Sequence, residues 1–338
     1  MSKIKFAIIG YGNIGKRHAQ HILANAEATL VAVCDLPGFS FDESLPEEVL
    51  RFDNVARFLT ECQADVINVC TPNYLHHPHT IQSLQSGKHV VCEKPMAVSS
   101  LQCEEMIAVA NQMQKTIFVV KQNRYNEPVQ QVKKLIDDQV LGSIYLVNVN
   151  CFWNRNAFYY GEGDWRGNKL KDGGCLFTQF SHFVDILYYL FGDVMNCRGI
   201  IKNFNHPYIE VEDTGSFVMQ SESGTIVNFN FSTCSFEKNM EGAFTILAEN
   251  GTVKIGGQYL NTIEYQQIKN TELPAIKMDA KPNDYGQYQG SMSNHDRVIN
   301  NVIKHLQGTE NVMTNASEGK KVVEIIEKMY ASTSIING

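Results

Sequence analysis

The stretch Gly10-Tyr-Gly-Asn-Ile-Gly15 follows an apolar run that starts at Ile4 and opens a segment of helical spacing, which leads through a second apolar run to Asp35. Three glycines between a strand and a helix constrain the backbone more than any other feature of the chain. The first allows a tight turn, the second lets an anionic group approach the main chain, and the third lets helix and strand pack closely. A glycine triplet alone is weak evidence, whereas strand, glycines, helix, strand and terminal acid in this order make a specific βαβ unit. The pattern predicts a helix from about Ile14 to Asn25 and a second strand from Thr29 to Cys34.

The N–H groups at such a helix start suit a pyrophosphate, so Gly10, Gly12, Asn13, Ile14 and Gly15 are expected to cradle a dinucleotide. Asp35 would accept hydrogen bonds from the adenosine ribose hydroxyls. Leu36, Pro37 and Gly38 offer no Arg or Lys to neutralise a 2′-phosphate, so NAD is expected over NADP. Hydrogen bonds to a charged acceptor contribute about 1.5–3 kcal/mol each, enough to set that preference.

Strand and helix patterns keep alternating through Asp65–Pro72, His79–Gly87, Lys88–Pro95, a helix capped by Ser99 and Gln102, and Thr116–Arg124. Ligands of open α/β sheets bind outside the carboxyl ends of the strands, which adds Thr71, Pro72, Asn73, His76, Glu93 and Lys94 to the expected cofactor set. The strand end "VVCEKPMAV" closes on Glu93, Lys94 and Pro95 where turn residues would be cheaper. This implies a lysine held in the shared crevice, with Glu93 orienting it; the sequence leaves the Lys94–Pro95 bond open between cis and trans.

From Asn123 the period changes. Pro128 opens a helix that Gly142 is expected to close, and period-2 strands follow, with turns at Ser223-Gly224 and Asn250-Gly251. At 338 residues the chain exceeds the size at which one core stops growing. The reading is an α/β Rossmann dinucleotide-binding domain over 1–122, then an α+β domain over 123–338 with an open, mostly antiparallel sheet. The C-terminal helix, about 316–333, is expected to pack back on the first domain. One sheet face would cover helices; the other is expected to meet a second copy, giving a homo-oligomer, dimer or tetramer.

Within "DGGCLFTQFSHFVDILYYLFG", helical spacing places Phe180, Phe183, Leu187 and Leu190 on one stripe and Thr178, His182 and Asp185 on another. A histidine so placed is more often structural than catalytic. The net charge of −7 gives no field for nucleic acid and no polybasic stripe for a membrane surface, and no window of 18 apolar residues exists. The N-terminal apolar run is too short for a signal peptide before it meets glycines. Nine dispersed cysteines without a C-x-x-C pair fit neither structural zinc nor a disulfide framework, so a reducing cytoplasm is expected.

The glycine fingerprint, "TPNYLH", "EKP" and the "GG…H..D" segment, in this order, resemble the Gfo/Idh/MocA oxidoreductase family over nearly the whole chain. "FVVKQNRYN", "YYGEGDWRG", "DGGCLFTQFSHFVDIL" and "IEVEDTG" are similar to the UDP-N-acetylglucosaminuronate 3-dehydrogenases of bacterial surface-polysaccharide biosynthesis. The resemblance implies NAD-dependent oxidation of a sugar C3 hydroxyl, with the catalytic lysine and histidine falling on Lys94 and His182. His182 is the first choice for base and Lys94 for stabilising the alcohol oxygen, the reverse assignment staying open. For a nucleotide sugar, the candidate substrate contacts are Lys94, Asn123, Arg124, Arg155, Tyr160, Arg166, Thr178, Gln179 and His182. Thr178 departs from the Asp or Asn common four residues before the histidine, and Phe180 from the usual small residue. No metal is expected, since loop histidines such as His76, His77 and His79 are more often hydrogen-bonded or solvated. A dehydrogenase of free sugars or inositols and a non-catalytic NAD-binding regulator are the competing readings; retention of both Lys94 and His182 speaks against the regulator.

Overall fold

The computed structural model describes residues 3–42, 45–161, 165–276, 282–284 and 289–335. The chain forms two units, one of residues 1–121 with 295–323 and the other of 122–294 with 324–338. The single boundary expected after residue 122 is therefore corrected: residues 295–323 return to the first unit, because their apolar positions are buried there.

In the first unit β1 (Ile4–Ile9), α1 (Asn13–Leu23), β2 (Ala28–Cys34), β3 (Leu50–Phe52), α2 (Val55–Glu61), β4 (Val66–Val69), α3 (Asn73–Gln85), β5 (His89–Cys92), α4 (Ser100–Gln112) and β6 (Ile117–Val119) alternate along the chain. The six strands form one parallel sheet in the order β3-β2-β1-β4-β5-β6. The central strand β4 is buried at every position, as a parallel strand covered on both faces requires. Ser99 caps α4 by accepting from the Gln102 N–H, half of the expected capping box.

The second unit begins with a 3₁₀ turn, Gln122–Tyr125, and α5 (Glu127–Asp137). After β7 (Ile144–Phe152) come the short helices α6 (Ala157–Gly161), α7 (Lys169–Asp172) and α8 (Cys175–Thr178), then α9 (Ser181–Phe191). Strands β8 (Val194–Lys202), β9 (Thr214–Ser221), β10 (Ile226–Ser232), β11 (Glu241–Ala248), β12 (Gly251–Gly256) and β13 (Thr262–Ile268) follow, then a small pair, β14 (Pro282–Asp284) and β15 (Gln289–Met292). Helices α10 (His295–Leu306) and α11 (Ala316–Ala331) and strand β16 (Thr333–Ile335) complete the chain. The main sheet runs β13-β12-β11-β7-β10-β9-β8-β16, antiparallel except at β7·β10 and β8·β16.

Local expectations shift in two places. Helix α5 ends at Asp137, five residues before Gly142, with Gln139 in the left-handed region (φ +55°). The hairpin between β11 and β12 turns on Glu249 and Asn250, one residue earlier than Asn250-Gly251.

The buried face of the second sheet is aromatic. Phe231 lies 5.1 Å from Phe180, and Phe183 stacks on Phe244 at 6.4 Å, which seats the start of α9 on the sheet. Burial along α9 is nearly complete on all sides, so the separate polar stripe is corrected. Asp185 turns inward instead, pairing with Arg124 through Nη2 at 2.8 Å and Nε at 3.0 Å, the side chains 1% and 0% exposed. The guanidinium also lies over the Tyr189 ring, 4.7 Å from its centre.

Removing one partner of this pair strands a charge in the interior. Asp185→Ala is expected to lower the unfolding free energy by about 3–5 kcal/mol in urea titration, and Arg124→Met in the same chain to restore part of it. A second prediction concerns Glu212, which accepts from the Cys175 N–H at 2.9 Å and the Tyr330 hydroxyl at 2.6 Å. Burial outweighs these bonds and pushes its pKa from 4.5 up to about 7. Because the folded value is the higher, its stabilising share is full below about pH 4.5 and is lost as pH rises toward 7. Glu212→Gln should flatten that fall, measured as unfolding free energy against pH.

Candidate active site

The glycine loop has the geometry of an anion cradle. Gly10 adopts φ +88°, and a β-carbon there would lie 2.8 Å from the Cys70 carbonyl. A β-carbon on Gly15 would lie 2.0 Å from the Gly10 carbonyl oxygen, so only glycine lets α1 pack this closely on the strand end. Above Gly12 a β-carbon would meet nothing within 4 Å. Helix α1 starts there, its N-terminus without a side-chain cap or an acidic residue in the first turn, and Gly12 and Asn13 are exposed with Ile14 half-buried. Free N–H groups, an open approach and a helix dipole fit a pyrophosphate.

Asp35 closes β2. Its carboxylate accepts from the N–H groups of Tyr11 at 2.5 Å and Leu36 at 2.7 Å, which fixes it beside the loop for ribose hydroxyls. Lys16 is paired with Asp42 at 2.8 Å. The residues therefore fit an NAD ribose better than a 2′-phosphate. Sequence reasoning missed the rings of Tyr11, Phe39 and Phe41, whose centres lie 5.2–6.4 Å apart beside the cradle. Aromatic residues on both sides of Asp35 were the available signal.

Thr71, Pro72 and Asn73 stand where β4 passes into α3, and Pro72 is the N-cap. His76 serves as an internal brace. It is buried, with Nε2 2.7 Å from the Thr71 carbonyl and Nδ1 2.7 Å from the Pro95 carbonyl, joining two strand ends. His79 meets the Thr71 hydroxyl at 3.2 Å and His77 meets Glu105 at 2.8 Å, so the three histidines, which lie on α3 rather than in a loop, bond to different groups.

Glu93 is likewise held from within the first unit. Its Oε1 lies 2.8 Å from His18 Nε2 and 3.5 Å from His295 Nε2, while Oε2 accepts from the Lys94 N–H at 3.1 Å. Burial raises its pKa, but the hydrogen bonds from His18 and His295 outweigh that and hold the carboxyl well below the usual range. The amide of Asn68 donates to His18 Nδ1 at 2.7 Å, which leaves Nε2 to donate to Glu93. A fixed carboxylate thus holds the backbone of Lys94, whose side chain is half-buried and whose bond to Pro95 is cis.

In the second unit Gly173 and Gly174, at φ +87° and +110°, make the corner that leads into α8. A β-carbon on Gly174 would lie 2.2 Å from the Tyr330 hydroxyl oxygen, and that hydroxyl also accepts from the Leu176 N–H. Thr178 ends α8, its hydroxyl donating to the Asp172 carbonyl at 3.4 Å. Gln179 and Phe180 break the helix, and His182 is the second residue of α9, 4% exposed. Thr178 and His182 therefore belong to two helices rather than one stripe.

The expected substrate residues divide. Gln179 accepts from Arg155 Nε at 2.6 Å and donates to the Tyr159 hydroxyl, while Arg166 donates to the Tyr159 carbonyl at 3.3 Å and lies 4.6 Å over its ring. Arg155, Gln179, Tyr159 and Arg166 form one polar and aromatic cluster. Asn123 is buried on the 3₁₀ turn, and Arg124 beside it is paired with Asp185. The Tyr160 hydroxyl turns inward, 3.4 Å from Thr233, and burial pushes its pKa upward.

Two family models match the chain. "Oxidoreductase family, NAD-binding Rossmann fold" covers residues 4–121, and "GFO/IDH/MocA C-terminal domain" covers 129–254. Among solved structures, the WlbA dehydrogenase of Chromobacterium violaceum in complex with NADH and UDP-GlcNAcA is similar at TM-score 0.87 and 32% identity, covering 98% of this chain and 94% of that one. The WlbA dehydrogenase of Bordetella pertussis, in complex with the same two molecules, gives TM-score 0.84 and 31% identity over 98% and 96%. The D-glucoside 3-dehydrogenase of Escherichia coli K12 is 27% identical over 98% of this chain and 95% of its own length. Among the described residues no helix is long and apolar enough to cross a membrane. With both domain models matched in order and a dinucleotide cradle in the first unit, the chain belongs to the Gfo/Idh/MocA family and is an NAD-dependent sugar oxidoreductase.

Proposed function

We propose that the protein oxidises the C3 hydroxyl of a UDP-N-acetyl-hexose, UDP-N-acetylglucosaminuronate in the first instance, to the 3-keto sugar for surface-polysaccharide biosynthesis. The observation that carries this reading is the likeness, over 98% of the chain, to two dehydrogenases solved with NADH and UDP-GlcNAcA. Bound NAD supplies the hydride acceptor. In this reading Lys94 and His182 reach one alcohol oxygen: His182 takes the hydroxyl proton and Lys94 hydrogen-bonds the oxygen as it becomes a carbonyl. The Glu93 anchor supports a fixed Lys94. Arg155 and Arg166, with Gln179, Asn123 and Thr178, are the proposed contacts to the diphosphate and the uronic carboxylate.

A homo-oligomer in the cytoplasm belongs to the same proposal. The open face of the second sheet carries Ile200, Val218, Ile226 and Leu247, all at least 37% exposed, which supports burial against another copy. A second reading, oxidation of free glucosides at C3, is favoured by the likeness to the D-glucoside 3-dehydrogenase.

The two readings separate in one assay. With UDP-GlcNAcA, UDP-GlcNAc, methyl glucoside and myo-inositol offered in turn, NADH should form with the UDP-sugars; formation with the free sugars alone overturns the first reading. NADP in place of NAD should lower kcat/KM by at least about tenfold, through its unneutralised phosphate facing Asp35. Lys94→Met is expected to lower kcat by about a hundredfold or more with little change in NAD binding, and an unchanged rate removes Lys94 from the reaction.

A further inference from the structure

Three side chains of the second unit outside the proposed substrate set converge on one point. His206 Nδ1 lies 2.9 Å from Asp213 Oδ2 and 3.8 Å from Cys234 Sγ, and these three atoms all lie within 4.8 Å of one another. The other ring nitrogen, Nε2, lies 2.7 Å from the Arg155 carbonyl oxygen. Metal-binding histidines usually donate their second N–H to a carbonyl or carboxylate in this way, which fixes the tautomer. The Asp213 carboxylate is held by the N–H groups of Phe204 and Asn205 at 2.7–3.1 Å. Cys234 is the one cysteine of nine that is not fully buried, and its sulfur also accepts from the Thr214 hydroxyl at 3.8 Å. The Thr233 N–H bonds the Asp213 carbonyl at 2.8 Å, and Cys234 bridges to Asn154, so the three donors stand on tied backbone.

We propose that His206 Nδ1, Asp213 Oδ2 and Cys234 Sγ form a binding site for a zinc-type divalent cation, with water in the fourth position on the exposed side of the thiol. One imidazole, one carboxylate and one thiolate suit zinc or cobalt and not magnesium or calcium, which require oxygen donors. Bonds of about 2.0–2.3 Å put tetrahedral donors roughly 3.3–3.8 Å apart, so sulfur and nitrogen are already in place and the His206–Asp213 contact opens by a few tenths of an ångström.

Binding is proton-linked. Both ring nitrogens of His206 face oxygen acceptors, Nδ1 the Asp213 carboxylate and Nε2 the Arg155 carbonyl. The cation takes the place of the Nδ1 proton and the thiol proton, releasing both and leaving Nε2–H on the carbonyl. The other titratable groups against the ring, Tyr160 at 5.2 Å and Tyr208 at 5.6 Å, have pKa values raised by burial and stay neutral. An ion here would also fix the Arg155 backbone next to the substrate cluster; that consequence rests on the proposed function, the site itself does not.

The test titrates the full chain with Co²⁺ as probe. One ion per chain should bind saturably, with a thiolate-to-cobalt charge-transfer band and with higher affinity at about pH 8 than at about pH 6. Zn²⁺ should displace it and raise the melting temperature. Cys234→Ser, at a partly exposed position, should fold, lose the band and bind at least about tenfold more weakly. Absence of saturable binding, binding without the thiolate band, or a band that survives Cys234→Ser overturns the proposal. Any of these results would make His206 and Asp213 a closed ion pair or place the ion elsewhere, for example at His18, Glu93 and His295. None of the readouts uses enzymatic activity, so the site and the proposed function fail or stand separately.

Discussion

The carbonyl oxygen of Gly10 lies 2.0 Å from the point where residue 15 would carry a β-carbon. That contact ties the first turn of α1 to the end of β1 and leaves no room for any other residue type. Its consequence is electrostatic: the uncapped helix N-terminus faces outward over Gly12, where nothing stands within 4 Å, and an anion can meet the free N–H groups. Asp35 and the first parallel pairing belong to the same βαβ unit, in which the crossover through α1 returns β2 beside β1.

In each of its two units the chain holds buried charge by internal partners. Glu93 is gripped by His18 and His295, Asp185 by Arg124, and Asp213 by His206 with two backbone N–H groups. Burying an isolated charge costs several kcal/mol, so each such group has a fixed place, and each fixes an element in turn. Glu93 holds the strand end that bears Lys94, and the Arg124–Asp185 pair holds the 3₁₀ turn to the helix that bears His182. These charged residues serve first as structure, whereas Arg155, Gln179, Tyr159 and Arg166 bond to one another in a polar and aromatic cluster.

Much of this order was legible in the residues. Glycines, apolar runs and the strand-end acid disclosed the first sheet, because parallel strands and their turns are set by short-range sterics and burial. The aromatic stripe of α9 was legible for the same reason. What the residues did not disclose was their internal partners: His76 braces two carbonyls, Glu93 binds two histidines and Arg124 neutralises Asp185. Helical spacing also ran Thr178 and His182 into one helix, where the chain breaks at Gln179 and Phe180.

By itself the sequence determined the dinucleotide unit and the change from parallel to mostly antiparallel sheet. These depend on local backbone freedom and on periodicity, both of which are present in the order of residues. Only the tertiary structure decided which charged groups are internal, which residues after His295 rejoin the first unit, and that His206, Asp213 and Cys234 meet. Most such pairings join positions tens to hundreds of residues apart, and a buried charge is satisfied by whichever partner the folded chain brings within hydrogen-bond reach, a distance that no local pattern encodes.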